Sequence, residues 1–186
     1  MKRIRKNTLL IIILSSIIII TAGCDAGRQN WQSELDSAVK IMGHRNWIII
    51  ADSAYPQQKS PGLRTIATGR DHFDVLKTVL KAVDQAKHIR AVVYLDSEID
   101  HVPESEAHGI TEYRMHLNNI LRGRKIIKKP HEEHIHTLDK TAQNFSVMVL
   151  KTNLTLPYTT VFIELDCGYW NPQAEFNMRK TINSPK

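Results

Sequence analysis

Four polar residues lie where apolar segments begin or end, and their types suit proton transfer. His44 precedes the apolar run Trp47–Ala51, Asp52 follows it directly, and His136 and Tyr158 lie farther along the chain. A histidine titrates near neutral pH, and a carboxylate can orient it or bind hydroxyl groups. These residue types therefore favour general acid–base chemistry.

Three of these residues also have a plain structural explanation, which the sequence leaves open. His44 could end the preceding helix and interact with its dipole. Asp52 could cap the turn that follows it. Tyr158 could pack at the start of a strand. The functional interpretation depends on the residues acting as a set.

A cluster of histidines offers a metal site as an alternative. His131 and His134 are three residues apart and would share a helix face, with His136 close by. Their spacing differs from the HExxH pattern of zinc proteases, and no cysteine or second histidine pair accompanies them. We therefore expect no bound metal.

The common nucleotide and hydrolase motifs are missing from the sequence. It contains no Gly-x-Gly-x-x-Gly, no phosphate-binding loop and no Gly-x-Ser-x-Gly. The sequence therefore lacks the main signatures of dinucleotide-binding, nucleotide-binding and serine-hydrolase proteins.

Apolar runs alternate with helical periodicities and predict an α/β fold. Because the strands alternate with helices, we expect a single three-layer domain whose central sheet is mostly parallel, with helices on both faces. Ligands of such sheets bind beyond the carboxyl ends of the strands, which is where Asp52 lies. The predicted strands are Trp47–Ala51, Arg90–Leu95, Lys125–Ile127, Phe145–Leu150 and Thr160–Leu165, and the predicted helices cover Ser33–Met42, a segment after Asp71, Glu104–Leu121 and Glu132–Asn144.

The N-terminus has the features of an exported lipoprotein. A basic start, an aliphatic run over Leu9–Ile20 and small residues before Cys24 are typical of a bacterial signal with a lipidation site. An uncleaved anchor is the alternative, and both place the domain outside the cytoplasm on a membrane of the cell envelope. We expect a signal peptide at 1–23, a lipidated tether at 24–32, a folded domain at 33–170 and a loose polar tail at 171–186.

The charge and the cysteines fit this interpretation. The chain has 25 Lys and Arg against 19 Asp and Glu, a net charge of +6. Four of the basic residues lie within the first six, so a processed chain would carry only +2 and gives no argument for nucleic-acid binding. Cys167 has no partner once Cys24 is lipidated, so we expect no disulfide and interpret Cys167 as a small residue near a strand end.

Two short motifs, in order and with matching spacing, resemble the D-ribose pyranase / L-fucose mutarotase (RbsD/FucU-like) family. The first is Met42-Gly43-His44, the apolar strand and Asp52-Ser53-Ala54-Tyr55-Pro56. The second is Pro157-Tyr158-Thr159-Thr160-Val161. The similarity runs from about Leu35 to Ile163.

The resemblance implies a role for each matched position in the mutarotase-like domain at 33–170. His44 matches the family's catalytic histidine, the proton donor, while Asp52, His136 and Tyr158 match residues that hold the sugar. Thr160 stands where the family has Asn and would also contact the sugar, with fewer hydrogen bonds. The family needs no cofactor and forms rings of subunits, so a homo-oligomer is expected.

The expected function is interconversion of the anomers or ring forms of a ribose- or fucose-like monosaccharide by an envelope-tethered isomerase. A non-catalytic lipoprotein that binds a monosaccharide is the alternative, which the threonine at position 160 favours. The sequence motifs do not choose between the two sugars.

Overall fold

The computed structural model describes residues 30–183. The predicted signal peptide and lipidation site at Cys24 lie outside these residues and stay predictions. The described chain forms α1 (Asn30–Ile41), β1 (Trp47–Ala51), β2 (Leu63–Ala67), α2 (His72–Gln85), β3 (Ile89–Asp96), a 3₁₀ turn (Ser97–Asp100), α3 (Ile110–Ile120), β4 (Ile126–Lys129), α4 (His131–Thr141), β5 (Val147–Lys151), β6 (Val161–Cys167) and α5 (Pro172–Ile182).

The six strands form one sheet in the order β2-β5-β1-β6-β3-β4. Strand β6 runs antiparallel to both of its neighbours, β1 and β3, and the remaining strand pairs are parallel. The carboxyl ends of five strands therefore meet at one edge, and β6 begins there. The opposite edge holds the starts of those strands and the end of β6.

Helices cover both faces of the sheet, which completes three layers. Helices α1, α2 and α3 bury apolar side chains with one face, including Leu35, Leu76 and Leu117. Helix α4 packs Leu138 and Ala142 against the other face. The α/β fold with a mostly parallel central sheet is thus confirmed.

Two capping carboxylates explain where α2 and α3 begin. Asp71 accepts hydrogen bonds from the backbone N–H groups of Phe73 and Asp74, so α2 starts where the sequence predicts. Helix α3 starts at Ile110, six residues after the predicted Glu104. The Glu104 carboxylate accepts from the N–H groups of Gly109 (2.5 Å) and Thr111 (2.9 Å), so it caps the helix from an irregular segment.

The sequence prediction missed two elements, β2 and α5. Strand β2 lies at the edge of the sheet and is only partly buried, so it lacks an apolar run. Helix α5 occupies most of the segment that we predicted as a loose tail. Its N-cap Asn171 accepts a hydrogen bond from the Ala174 N–H, and Pro172 follows the cap, so a local signal for this helix existed.

Within residues 30–183, no helix has the length and apolar character needed to cross a membrane.

Candidate functional site

The carboxyl edge of the sheet gathers acidic and aromatic side chains from four separate segments. Asp52 follows β1, Asp96 is the last residue of β3, His131 is the first residue of α4, and Tyr158 and Thr160 precede β6. We call these five residues the carboxyl-edge cluster. The parallel strands and the reversed β6 bring them together although the sequence separates them by more than a hundred positions.

A buried carboxylate orients His131. The Asp96 side chain has no solvent exposure, and its Oδ2 lies 3.0 Å from His131 Nδ1. Burial raises the pKa of Asp96 to about 6, although the hydrogen bond and charge of His131 act to lower it. An ionised Asp96 accepts a hydrogen bond from Nδ1–H, which leaves the Nε2 of His131 free to exchange a proton with a ligand.

A second carboxylate fixes the backbone of the same histidine. Glu98, from the 3₁₀ turn, accepts hydrogen bonds from the His131 N–H at 3.0 and 3.2 Å. Pro130 at the N-cap supplies no side-chain bond, so Glu98 performs the capping from outside the helix. His131 is therefore restrained at both its backbone and its ring, as a proton-transfer group requires.

The second oxygen of Asp96 is unusual. Asp96 Oδ1 is buried and has no hydrogen-bond partner among the described residues. His134 Nε2 is 4.0 Å from this oxygen and instead lies 3.2 Å from the carbonyl oxygen of Leu95. His134 is buried and stacks on Phe162, and burial lowers its pKa, so it is a neutral packing residue. Asp96 Oδ1 is thus an unsatisfied acceptor inside the protein, which adds to the cost of ionising the carboxylate.

Asp52 and Thr160 touch each other at the same edge. Thr160 Oγ1 donates to Asp52 Oδ2 over 3.5 Å, which is a long hydrogen bond. The other Asp52 oxygen accepts from the Ala54 N–H at 2.7 Å. Asp52 therefore does cap the turn after β1, as its structural interpretation predicts, and its Oδ2 stays available beside Thr160.

Tyr158 provides the exposed aromatic surface of the cluster. Its side chain is 42% exposed, and its ring centroid lies 5.8 Å from that of His131. Its φ of 54° places it in the left-handed region, which follows from the tight turn before β6. The next residue is fixed from the core, because the Tyr113 hydroxyl lies 2.9 Å from the Thr159 carbonyl oxygen.

The structure brings together three of the five predicted sugar-site residues, Asp52, Tyr158 and Thr160. His136 lies on the exposed side of α4 and makes no hydrogen bond or ion pair within residues 30–183. His131, from the cluster considered for metal binding, occupies the position beside Tyr158 instead. No group of three or more His, Cys, Asp or Glu side chains in the described part of the chain is arranged to hold a metal ion.

His44 lies at the opposite edge of the sheet from Asp52. It is exposed, in the turn before β1, and the five residues of β1 separate the two side chains by roughly 17 Å of strand. His44 lines a cleft of about 740 Å³ together with residues from β3, β6 and the segment before α5. One chain therefore does not place His44 and Asp52 around a single monosaccharide.

The sequence prediction missed Asp96 and His131 as site residues. The signal for Asp96 was present, because it ends a buried strand parallel to β1 just as Asp52 follows β1. The family resemblance selected His136 instead of His131. The position of His131 directly after β4 and Pro130 places it at the sheet edge.

This combination defines a class: a single-domain α/β protein with a buried Asp–His pair beside hydroxyl-bearing side chains at the carboxyl edge of a mixed sheet. The chain belongs to the RbsD / FucU transport protein family, whose model matches residues 29–167.

Several solved structures are similar to this chain, and two of them illustrate the similarity. Bacillus subtilis RbsD, solved with D-ribose, has 20% sequence identity and a TM-score of 0.52, covering 72% of this chain and 92% of its own. A fucose mutarotase from Streptococcus pneumoniae, solved with L-fucose, has 16% identity and a TM-score of 0.46, covering 78% of this chain and 97% of its own. No curated protein sequence matches the chain.

Proposed function

We propose that this protein interconverts the anomers or ring forms of a ribose- or fucose-like monosaccharide by general acid–base catalysis. The observation that carries the proposal is the Asp96–His131 pair, which lies beside Tyr158 and faces the same edge as Asp52. Membership of the RbsD / FucU family supports it, as does the fold shared with a protein solved with D-ribose.

The reaction needs two proton-transfer groups and a few hydroxyl-binding groups. A base removes the proton of the anomeric hydroxyl, the bond from C1 to the ring oxygen breaks as the carbonyl forms, and an acid protonates the ring oxygen. Closure on the other carbonyl face reverses both transfers and gives the other anomer. The protein's side chains suffice for these steps, so the proposal includes no cofactor.

The residues of the carboxyl edge suit one half of this chemistry. His131 exchanges a proton through Nε2, and Asp96 stabilises the imidazolium that forms. Asp52, Tyr158 and Thr160 bind sugar hydroxyls, since a carboxylate accepts and the two hydroxyl groups both donate and accept. This leaves the second proton-transfer group to be supplied.

His44, the residue that matches the family's proton donor, supplies it from a second copy of the chain. About 17 Å of strand separates it from Asp52 in one chain, whereas an oligomer can place the His44 edge of one copy against the carboxyl edge of the next. We therefore propose a homo-oligomer with sites at the contacts between copies, as the resemblance implies.

Saturation-transfer NMR on the full chain in detergent tests the proposal directly. With D-ribose and L-fucose, irradiation of one anomer is expected to reduce the signal of the other faster with wild-type protein than in buffer. A His131→Gln variant of unchanged thermal midpoint is expected to return the rate to that of buffer. Wild-type exchange equal to buffer for both sugars would exclude the enzyme.

A non-catalytic sugar-binding protein is the second candidate. Its supporting observation is that Thr160 directs its single hydroxyl proton at Asp52, so both groups are partly satisfied without a ligand. In the same NMR experiment a binder would show transfer of saturation from protein to sugar without exchange between anomers.

We also propose that lipid on Cys24 tethers the domain to the cell envelope, on the strength of the N-terminal sequence. Labelling with a fatty-acid analogue tests this: Cys24→Ala is expected to lose the label, and a Cys167→Ala control is expected to keep it. A label that persists in Cys24→Ala would remove the lipid anchor from the proposal.

A further inference from the structure

The cleft around His44 has a wall that lies beyond the matched family region. The family model ends at Cys167, and the segment Gly168–Glu175 forms one side of the cleft. Gly168 fixes the direction of this segment: its N–H donates to the His88 carbonyl oxygen at 3.0 Å, and an added Cβ would lie 2.5 Å from the Lys87 carbonyl oxygen. The wall is therefore an addition to the family's matched region.

Tyr169 and Trp170 are the aromatic side chains of this wall, and Trp170 has a restrained orientation and an open surface. Its indole N–H donates to Glu175 Oε2 at 2.8 Å, and Arg179 Nε donates to Glu175 Oε1 at 2.6 Å. Trp170 is 43% exposed, whereas Trp31 and Trp47 are 3% and 5% exposed. A half-exposed indole whose N–H is already satisfied offers mainly an apolar surface to a ligand.

Charged groups complete the same cleft. Arg90 Nε donates to Asp166 Oδ2 at 3.0 Å, and the Cys167 N–H donates to Asp166 Oδ1 at 2.8 Å. Burial acts to raise the pKa of Asp166, but these hydrogen bonds and the positive charge of Arg90 lower it below its ordinary value. The cleft thus combines an ionised carboxylate, a guanidinium and the imidazole of His44 with an aromatic wall.

A sugar ring has matching chemistry. Its C–H faces are apolar and favour burial on an indole, while its rim of hydroxyls both donates and accepts. Asp166 accepts from hydroxyls, and Arg90 donates to them. A flat apolar ligand would remove water from the Arg90–Asp166 ion pair and return no hydrogen bonds to it.

We propose that Trp170 is the surface on which the pyranose ring of the substrate packs while His44 transfers the proton. This assignment deepens the proposed function and rests on it for the role of His44. It places a determinant of sugar binding in the segment after Cys167, outside the matched family region.

Tryptophan fluorescence of the full-length protein in detergent tests the proposal, because Trp170 is the one half-exposed tryptophan of residues 30–183. The probes are D-ribose, L-fucose and the corresponding methyl pyranosides, whose rings cannot open. We expect a saturable change in wild type and none in Trp170→Phe. In Trp170→Ala we expect the KM for anomer exchange to rise up to about tenfold with kcat little changed.

Phe176→Ala is the matched control. Phe176 is an aromatic residue of α5 with 62% exposure, and it does not line the cleft. It is expected to leave both the fluorescence titration and the KM unchanged. If Phe176→Ala has the same effect as Trp170→Ala, the effect comes from a general disturbance of α5, and the assignment of Trp170 as a sugar-binding surface is wrong.

The remaining outcomes separate this proposal from the proposed function. A saturable fluorescence change without any anomer exchange would retain Trp170 as a sugar-binding residue and exclude the enzyme. Normal exchange with an unaltered KM in Trp170→Ala would retain the enzyme and overturn the role of Trp170. A titration that shows no saturable change with any of the four probes would also overturn it.

Discussion

The two edges of the sheet differ in how their polar groups are restrained. At the carboxyl edge, His131 is fixed by Asp96 at its ring and by Glu98 at its backbone. At the opposite edge, His44 is exposed in a turn and makes no hydrogen bond through its side chain within residues 30–183. A restrained histidine has one productive orientation, whereas an unrestrained one depends on whatever packs against it.

This difference suggests that the two edges contribute differently to a site shared between two copies of the chain. The carboxyl edge is prepared within one copy, and the His44 edge acquires its geometry when a second copy or a ligand covers it. The following variants test this comparison from the largest expected effect to the smallest.

His131→Gln is expected to have the largest effect. It removes the proposed proton-transfer group, so anomer exchange should fall by about 10²–10⁴-fold while the thermal midpoint stays close to wild type. Saturation-transfer NMR and circular dichroism measure the two quantities. His136→Gln, on the exposed side of the same helix, is the matched control. If His136→Gln is inactive and His131→Gln is active, His136 is the functional histidine, as the family resemblance implies, and the role proposed for His131 is wrong.

Co-expression of His44→Ala chains with His131→Gln chains tests the sharing of sites. Each variant alone should lose exchange. Mixed oligomers should recover about a quarter of wild-type activity. Each site takes His44 from one copy and His131 from its neighbour, and each of the two is intact with a chance of about one half. Separate affinity tags and light scattering verify mixed assembly. If both histidines act within one chain, verified mixtures recover nothing.

Asp96→Asn is expected to reduce exchange about tenfold near neutral pH and to change its pH dependence. With the pKa of Asp96 raised to about 6, wild-type activity should rise as pH passes through 6, and this rise should be lost in the amide. The negative charges of Glu98 and Asp52 act on the same Asp96 carboxylate and His134 lies beside it, so the control is the profile of an Asp52→Asn variant. A profile identical to wild type in Asp96→Asn would remove the carboxylate from the mechanism.

The same shift predicts the sign of a stability effect. Because the folded pKa of Asp96 lies above its unfolded value of 3.8, the folded state binds more protons between pH 4 and 6. Asp96 should therefore lower the free energy of unfolding as pH rises through this window, by up to about 3 kcal/mol. Urea unfolding of wild type and Asp96→Asn at pH 4 and pH 7 measures the difference, which should favour the variant at the higher pH.

Thr160→Asn is expected to have the smallest effect. An amide at position 160 can donate to one sugar oxygen and accept from another, which adds about one hydrogen bond, or up to about tenfold in exchange rate. The gain is limited because Thr160 is buried against Asp52. If Thr160→Asn slows the exchange, threonine suits a different sugar, and the sugar-binding roles that the family resemblance implies would be abandoned.

The fold was largely predictable because its main signals are local. The run Trp47–Ala51 is buried along its whole length, as a central strand requires, and Asp71 caps α2 where the sequence indicates. The orientation of β6 was not predictable, since strand direction depends on tertiary pairing. Strand β2 was not predicted, because this edge strand contains Arg64 and Thr65 and has no continuous apolar run.

The candidate site was predictable only where strand ends defined it. Asp52 and Tyr158 were found in this way, whereas Thr160 was named from the family resemblance. The exposed position of Tyr158 was not predictable, because its φ of 54° places it in a turn before β6. The separation of His44 from Asp52 was implicit in the sequence, since a straight strand of five residues puts its two ends at different edges of the sheet.

The antiparallel course of β6 has a practical consequence. Because β6 runs from Val161 to Cys167, the chain leaves the sheet beside His44, and the segment that continues to α5 starts at that edge. A C-terminal affinity tag or fluorescent fusion would therefore be joined to the protein through α5 and the wall of the His44 cleft, away from the carboxyl edge. Assays of the His44 edge therefore need a chain without a C-terminal tag.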